Sequence, residues 1–275
     1  MIDENDPGPR VAAVYDAAAD SYDDPALSFW DRFGASTVER LAIEPAASVL
    51  DVCCGAGASA IPAAKRAGPR GRVLAVDLSR KLLELGAAKA RSLGLTNIEF
   101  RNDHLERLEL PAGSFDAVIC VFGIFFVPDI AGAIRSLWRH VRQGGQLAIT
   151  TWGRGVFEPA DTIFWEAVRT HRPDLHKVFN PWDRVGEPGL LRHLLREGGA
   201  GKAVVQCESC QHQLGSPEDW WTIVMGSGYR GTIDQMDETT REEVRSLCLR
   251  RIADEDIRSI QASVLYAVAE KTSNS

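Results

Sequence analysis

The first 150 residues alternate between short apolar runs and segments with helical spacing, and this alternation limits the possible folds more than any other feature. The apolar runs are nearly continuous, as in strands buried on both faces, and helix-like segments separate them. The five runs are ASVLDV (47–52), GRVLAVD (71–77), NIEFRN (97–102), FDAVICVFG (115–123) and GGQLAITTW (144–152). This order predicts a parallel sheet covered on both faces, which is a doubly wound α/β fold.

The alternation loosens beyond residue 152. Residues 187–199 are typical of one more sheet-covering helix, and residues 203–214 and 263–271 of two further strands. The remaining segments are interpreted as helical insertions, which fall beyond the carboxyl ends of the strands, where open α/β sheets bind ligands. The chain is therefore expected to form a doubly wound, mostly parallel seven-stranded sheet with helical lid insertions.

Composition limits the partners. The 275 residues carry a net charge of -7, and the basic residues are scattered, which argues against a nucleic acid partner. No apolar stretch approaches the roughly 18 residues that a membrane span needs. The start, MIDENDPGPR, has the character of neither a secretory signal nor a transit peptide. We expect a cytoplasmic protein with no membrane partner; a homodimer stays open.

Two of the six cysteines form the sequence CESC (207–210), which has the spacing of half a zinc site. No second pair accompanies it, and it lies in a strand-like run, where residues three apart point to opposite faces. We expect ordinary strand cysteines and no metal.

A glycine turn follows the first strand. Asp51 ends the strand, and Gly55 and Gly57 lie where a helix is about to begin. Two glycines allow backbone N–H groups to approach a ligand without an intervening Cβ. Because glycine turns also have purely structural uses, the loop alone does not identify a site.

Two further acids raise the case for a ligand. Asp77 ends the second strand, where a carboxylate can accept hydrogen bonds from a ribose diol, and Asp103 follows the third. Each acid alone could be a helix N-cap, but three acids at successive strand ends define one edge of a ligand. The letters GAGASA also fit a dinucleotide loop, yet Asp51 beside a pyrophosphate is unfavourable and suits a ligand with a positive amine.

The ordered segments VLDVCCGAG, VLAVDLS, NDHLERLELPAGSFDAVICVFGIFFVPD and GGQLAITTW resemble the motifs of class I S-adenosylmethionine-dependent methyltransferases. The resemblance is strongest to the group that includes the ubiquinone/menaquinone-biosynthesis enzymes. It covers residues 9–152 well and the remainder weakly. It implies a Rossmann-like fold in which residues 1–45 form helices over the cofactor, 46–152 bind S-adenosylmethionine, and 153–275 complete the sheet and carry the lid.

The resemblance also implies roles for individual residues. Asp51, Gly55 and Gly57 would hold the methionine moiety, and Asp77 the ribose hydroxyls. On the adenine side the implied contacts are with Leu78, Asp103 and the backbone of His104. The backbone at Val121–Phe122 would meet the amino group, and Tyr22 would close over the cofactor.

The acceptor side is predicted from composition. Relatives often carry a histidine or asparagine after the fourth strand, whereas this chain has Phe125 and Phe126. Aromatic residues are concentrated in the expected lid: Trp152, Phe157, Phe164, Trp165, Trp182, Trp220, Trp221 and Tyr229. As a group they favour a largely hydrophobic or aromatic acceptor, such as a quinone precursor, polyketide or terpenoid, methylated on carbon or oxygen.

The polar candidates on this side are few. Phe125, Phe126, Trp152, Tyr229 and Arg230 are predicted to contact the acceptor, with Arg230 suited to a carboxylate or phosphate. The candidate bases are Tyr229 and His171, and by default His176. Two alternatives stay open: a nicotinamide-dependent oxidoreductase, and a protein that binds S-adenosylmethionine without turnover.

Overall fold

A computed structural model describes residues 7–272. Residues 1–6, which begin the predicted N-terminal segment, and residues 273–275 lie outside the described part of the chain. The strands are β1 (Ser48–Val52), β2 (Arg72–Asp77), β3 (Ile98–Asn102), β4 (Phe115–Val121), β5 (Val141–Trp152), β6 (Val204–Glu208), β7 (Gln211–Gln213), β8 (Ser259–Gln261) and β9 (Val264–Glu270). The helices are α1 (Gly8–Ala18), α2 (Phe29–Glu39), α3 (Ala60–Ala67), α4 (Arg80–Ser92), α5 (Ile130–His140), α6 (Ala160–His171), α7 (Pro188–Glu197), α8 (Pro217–Met225), α9 (Arg230–Ile233) and α10 (Glu238–Asp254).

Seven strands form one sheet in the order β3-β2-β1-β4-β5-β9-β6. Strands β1 to β5 are parallel, and β9 runs antiparallel to both β5 and β6. The predicted fold class, a doubly wound and mostly parallel seven-stranded sheet, is therefore confirmed. The order reverses between β1 and β4, so the carboxyl ends of these strands meet at the switch point where such sheets bind ligands.

Each strand contributes side chains to two cores because neighbouring residues point to opposite faces. Val49 packs in the core beneath α3 and α4, and Leu50 packs in the core beneath α5 and α7. Both side chains are fully buried. This two-sided burial accounts for the nearly continuous apolar letters of the strands.

The single strand predicted over 203–214 is wrong. It is divided into β6, which belongs to the main sheet, and β7, which pairs with β8 in a separate two-stranded sheet. The pairing register is continuous across the division, since Glu208 pairs with Val264 and Gln211 with Gln261. The neighbouring strand is interrupted at the matching position, between β8 and β9. The paired strands β7 and β8 therefore form a two-stranded sheet of their own.

Candidate cofactor and acceptor site

A cavity opens at the carboxyl ends of β1, β2, β3 and β4, and α1 with the turn that follows it covers the other side. We call it the cofactor cavity. Of the nine residues predicted to bind the cofactor, those on its surface are Tyr22, Gly55, Asp77, Leu78, Asp103, His104 and Val121. The strand order thus brings together residues that are up to 99 positions apart in the sequence.

Asp51 and Gly57 lie behind the loop and do not line this cavity. The fully buried Asp51 carboxylate accepts a hydrogen bond from Ser59 Oγ at 2.7 Å, and it is Ser59 that lines the cavity. Burial raises the pKa of Asp51 to about 7. Gly57 has a φ of +90°, which favours glycine. A Cβ at this position would also lie only 3.0 Å from the Ile61 side chain. Contact of either residue with the methionine moiety stays a prediction.

Gly55 leaves room for a ligand against the backbone. Its φ is +52°, and a Cβ at this position would point to the Tyr22 hydroxyl at 3.4 Å and to Leu82. Both of these neighbours line the cavity. A side chain on residue 55 would therefore occupy the cavity, which is the arrangement expected where a cofactor lies against a glycine loop.

Asp77 is held by backbone donors on both carboxylate oxygens. Its Oδ2 accepts from the Gly55 N–H at 2.9 Å, and its Oδ1 from the Ser79 N–H at 2.8 Å. Burial raises the pKa of Asp77, and these N–H donors oppose that rise. Each oxygen retains a second lone pair, so a ribose diol fits this carboxylate.

Asp103 is held by one backbone donor and one side-chain donor. Its Oδ1 accepts from the His104 N–H at 2.8 Å, and its Oδ2 accepts from Arg101 at 2.9 Å. The side chain is about one-third exposed. The roles of Asp103 and His104 toward an adenine stay predictions.

Helix α1 is attached over the cavity by a polar contact at the start of α4. The Ser79 hydroxyl donates to Asp16 of α1 at 2.6 Å, and the Lys81 N–H donates to the same oxygen at 3.1 Å. This contact places Tyr15 and Tyr22 against the cofactor cavity. Burial raises the pKa of Tyr22 well above its ordinary value, so its phenol is neutral.

Two further cavities adjoin this one. The outer cleft lies between α1, the segment after β4 and residues 177–184. The inner chamber is smaller and is walled mainly by aromatic rings, among them that of Tyr229. Tyr15 and Phe126 line all three cavities, so these two side chains lie where the three meet.

The predicted aromatic acceptor residues lie around this junction. Phe125 lines both the outer cleft and the inner chamber, and Trp152 lines the inner chamber alone. Trp152 stacks on Phe122 with the ring centres 4.0 Å apart. Phe122 has a φ of +54° and lines the cofactor cavity, so one stacked pair connects the cofactor side with the chamber.

Tyr229 is buried in the wall of the inner chamber, and its hydroxyl donates a hydrogen bond to Asp161 of α6. Burial raises the pKa of Asp161 to about 6, against the lowering effect of this bond. Burial likewise raises the pKa of Tyr229, with the Asp161 charge as the next cause. Tyr229 is therefore a neutral donor, and Asp161 is the group that titrates near neutrality.

Arg230 and the two histidines lie elsewhere. Arg230 pairs with Asp234 at 3.2 Å and lines none of the three cavities. His171 lies against Glu243 of α10 at 3.2 Å, and His176 is edge-on to Trp165. Neither histidine is among the residues that line the cavities. The predicted roles of Arg230, His171 and His176 toward an acceptor stay predictions, and the positions of these residues do not support them.

Sequence reasoning missed Tyr15, the acid Asp161 and Trp30. Tyr15 begins the segment YDAAADSYD, whose resemblance to the family's N-terminal helix implied a role for Tyr22 only. Trp30 lines both the cofactor cavity and the inner chamber, and its buried indole N–H has no partner among the described residues. No local pattern distinguishes either residue from a packing aromatic.

The strand order and a cavity at the carboxyl ends of β1 to β4 are those of the Rossmann-like methyltransferase fold. The Asp77 carboxylate suits a ribose diol, and Gly55 leaves room for a ligand against the loop backbone. The sequence profile of the ubiE/COQ5 methyltransferase family matches residues 3–180, and the chain belongs to that family. The resemblance and the cofactor, S-adenosylmethionine, are thereby confirmed, and the oxidoreductase alternative is not supported.

Curated relatives carry names of quinone methyltransferases. A demethylmenaquinone methyltransferase of Listeria welshimeri is 33% identical over 143 residues, which are 50% of this chain and 61% of that protein. A ubiquinone/menaquinone biosynthesis C-methyltransferase of Cronobacter sakazakii is 30% identical over 155 residues, 56% of this chain and 61% of that protein. The chain thus spans about 61% of the length of these relatives.

The fold has solved counterparts. The structure of a methyltransferase from Bacillus halodurans superposes with a TM-score of 0.56 at 17% identity, covering 87% of this chain and 99% of that one. At this identity the likeness supports the fold alone. Within residues 7–272 no helix has the length and apolar character to cross a bilayer, and no cluster of three or more His, Cys, Asp or Glu side chains is placed to hold a metal.

Proposed function

We propose that this chain transfers a methyl group from S-adenosylmethionine to a carbon or phenolic oxygen of a largely hydrophobic or aromatic small molecule. The observation that carries the proposal is the junction at Tyr15 and Phe126, where the cofactor cavity meets the outer cleft and the inner chamber. The names of the curated relatives favour a quinone precursor within this class. Polyketides and terpenoids are also hydrophobic molecules that can accept a methyl group on carbon or oxygen, so they stay within the proposed class.

The bound cofactor supplies an electrophilic methyl on a sulfonium. The protein's task is then to align an acceptor with that methyl and to exclude water, more than to supply acid–base groups. The rings of Tyr15 and Phe126 suit this task because aromatic faces stabilise a nearby cation by about 0.5–2 kcal/mol each. Phe125 and Trp152 would form the apolar wall behind the acceptor.

A phenolic or quinol acceptor must lose one proton. In our proposal the proton passes to the Tyr229 oxygen while the Tyr229 proton passes to Asp161, which leaves Tyr229 neutral and Asp161 protonated. The hydrogen bond between Tyr229 and Asp161 supports this route, as does the pKa of Asp161 near 6. A base whose pKa lies close to the working pH is the most effective.

The proposal assigns cofactor cover to residues 1–45, cofactor binding to 46–152, and acceptor binding to 153–275. It places the protein in the cytoplasm, acting on a small molecule without nucleic acid. A homodimer stays a prediction that sedimentation velocity would test. Contact of Arg230 with the acceptor stays a prediction that Arg230→Ala would test by its effect on turnover. The pairing of Arg230 with Asp234 does not favour this contact.

The test is turnover of a 1,4-naphthoquinol and of an extract of hydrophobic metabolites, with S-adenosylhomocysteine and the methylated product both quantified by mass spectrometry. We expect product from at least one quinol or phenol. Tyr229→Phe and Asp161→Asn should lower turnover of that acceptor and leave cofactor affinity nearly unchanged. Cofactor binding without any product would instead favour the non-catalytic alternative. Polar amines as the best acceptors would contradict the proposed class.

A further inference from the structure

The outer cleft has an unusual charge. Its ionisable lining consists of Arg10 from α1, Lys177, and Arg184 from the turn Pro181–Arg184, apart from the phenol of Tyr15. No carboxylate is among the described residues that line it. The chain as a whole carries a net charge of -7, so a lining of three cations is not a consequence of composition.

Arg184 is fixed but not neutralised. Its Nη1 donates to the Val127 carbonyl at 2.7 Å, and its Nη2 donates to the Pro128 carbonyl. These carbonyls follow Phe126 directly, so the charge is held beside the aromatic floor of the cleft. They are dipoles without net charge, and Arg184 forms no ion pair with any carboxylate in residues 7–272.

Arg10 and Lys177 both line the outer cleft, and both residues are exposed. Partial burial lowers the pKa of Lys177, and the charge of Arg10 lowers it further. Neither residue has a carboxylate partner within the described chain, although the Lys177 ammonium lies 5.8 Å from the Trp165 ring centre. Two like charges that line one cleft repel each other, and an anion bound near both would lessen the repulsion.

We infer that the acceptor carries an anionic group, a carboxylate, sulfonate or phosphate, that binds Arg184 with Arg10 and Lys177 while its apolar body lies on Phe125 and Phe126. The inference rests on the proposed function, because it describes the acceptor of that reaction. The ligand class is an amphiphilic organic acid with a ring small enough to approach the junction. Arg184 can present two N–H groups to such an anion only from the part of its guanidinium fork that the carbonyls leave open.

Two probes that differ in charge test the inference without knowledge of the acceptor. 8-Anilinonaphthalene-1-sulfonate and N-phenyl-1-naphthylamine share one ring system, and only the first is an anion. Both are titrated by fluorescence into the full chain saturated with S-adenosylhomocysteine, so that they cannot occupy the cofactor cavity. We expect the sulfonate to bind at least tenfold more tightly, a preference that falls as salt is raised.

Substitutions locate the preference. Arg184→Gln and Lys177→Gln should each lower the affinity for the sulfonate severalfold and leave the neutral probe unchanged. Arg192→Gln is the matched control, since Arg192 also donates to a backbone carbonyl, that of Val205, but lies outside the cleft. The Arg192→Gln variant should prefer the sulfonate over the neutral probe by the same factor as the unaltered protein.

Three results would overturn the inference. Equal affinities for the two probes would mean that the cations do not select an anion. Loss of binding to phosphatidylglycerol vesicles in Lys177→Gln and Arg184→Gln, with the sulfonate affinity unaffected, would assign the cations to a lipid headgroup. A preference that appears only when Asp3, Glu4 and Asp6 are replaced by their amides would mean that the cations serve the chain's own N-terminus. Failure to bind S-adenosylhomocysteine, by contrast, would contradict the proposed function itself.

Discussion

The backbone N–H of Gly55 donates to Asp77 Oδ2 across 2.9 Å, so the glycine loop after β1 and the acid at the end of β2 are directly bonded. The other oxygen of Asp77 accepts from Ser79 at the start of the turn into α4. One carboxylate therefore joins the glycine loop to the turn that leads into α4. The two residues that the sequence assigns separately to methionine and ribose form a single structural unit.

Gly55→Ala should abolish cofactor binding beyond its effect on stability. The φ of +52° makes alanine unfavourable by about 1–2 kcal/mol, and the added Cβ would occupy the cavity near Tyr22. Gly94→Ala is the matched control, because its φ is +69° and no atom lies within 4 Å of the added Cβ. Both variants should lose similar stability in urea unfolding. Similar losses of S-adenosylhomocysteine affinity in both would contradict the placement of the ligand at Gly55.

Gly123→Ala should be tolerated only when Cys53 is also changed. The added Cβ would lie 2.3 Å from Cys53 Cβ and 2.4 Å from its Sγ, distances that require a shift of the loop. We expect Gly123→Ala to destabilise by about 1–3 kcal/mol through overpacking. Cys53→Gly removes both of these contacts and also the left-handed strain at Cys53, whose φ is +61°. The double variant should regain most of the loss in a double-mutant cycle, and additive effects would refute the contact.

Asp51→Asn should become increasingly stabilising as the pH rises. The pKa of Asp51 is raised in the folded chain from about 4 to about 7, so the folded state binds more protons than the unfolded state in this window. Stability from this group is present below pH 4 and is lost as the pH rises through 7. The difference in unfolding free energy between variant and parent should therefore grow by about 2–3 kcal/mol from pH 5 to pH 8. If the difference in unfolding free energy did not depend on pH, the pKa of Asp51 would not be raised in the folded chain.

Phe126→Leu should lower turnover more than it lowers the affinity for S-adenosylhomocysteine, which has no sulfonium charge. The ring lies at the junction of the three cavities, and loss of its face should reduce kcat by about 2- to 30-fold, equivalent to about 0.5–2 kcal/mol. Phe115→Leu is the control, since Phe115 is buried at the start of β4 and lines none of these cavities. Equal kcat values for the two variants would remove Phe126 from the acceptor site.

The sequence predicted what depends on local periodicity. The first five strands were located within a few residues because buried parallel strands are continuous apolar runs, and Asp77 was found because it closes one of them. Asp51 lies one residue before the end of β1, but no pattern shows that Ser59 lies between it and the cavity. The position of a side chain relative to a loop depends on how the loop folds back, which short-range spacing does not encode.

The acceptor side was less predictable because it depends on contacts between distant segments. Tyr229 and Asp161 are 68 residues apart and lie in insertions that have no repeating pattern. The cations of the outer cleft come from α1 and from two positions after α6, each unremarkable in its own neighbourhood. The left-handed backbone at Cys53 could not be predicted from the sequence, since cysteine has no preference for positive φ.

The account depends most on the assignment of the cofactor cavity to S-adenosylmethionine, and isothermal titration of S-adenosylhomocysteine into the unaltered chain and into Asp77→Ala tests it most directly. Removing the carboxylate eliminates two charge-assisted hydrogen bonds to the ribose, at a cost of about 2–4 kcal/mol. We predict saturable binding to the unaltered chain, an affinity about 30- to 1,000-fold lower in the variant, and no binding of NAD to either. An unchanged affinity in a folded Asp77→Ala protein, or binding of NAD in place of S-adenosylhomocysteine, would contradict the account.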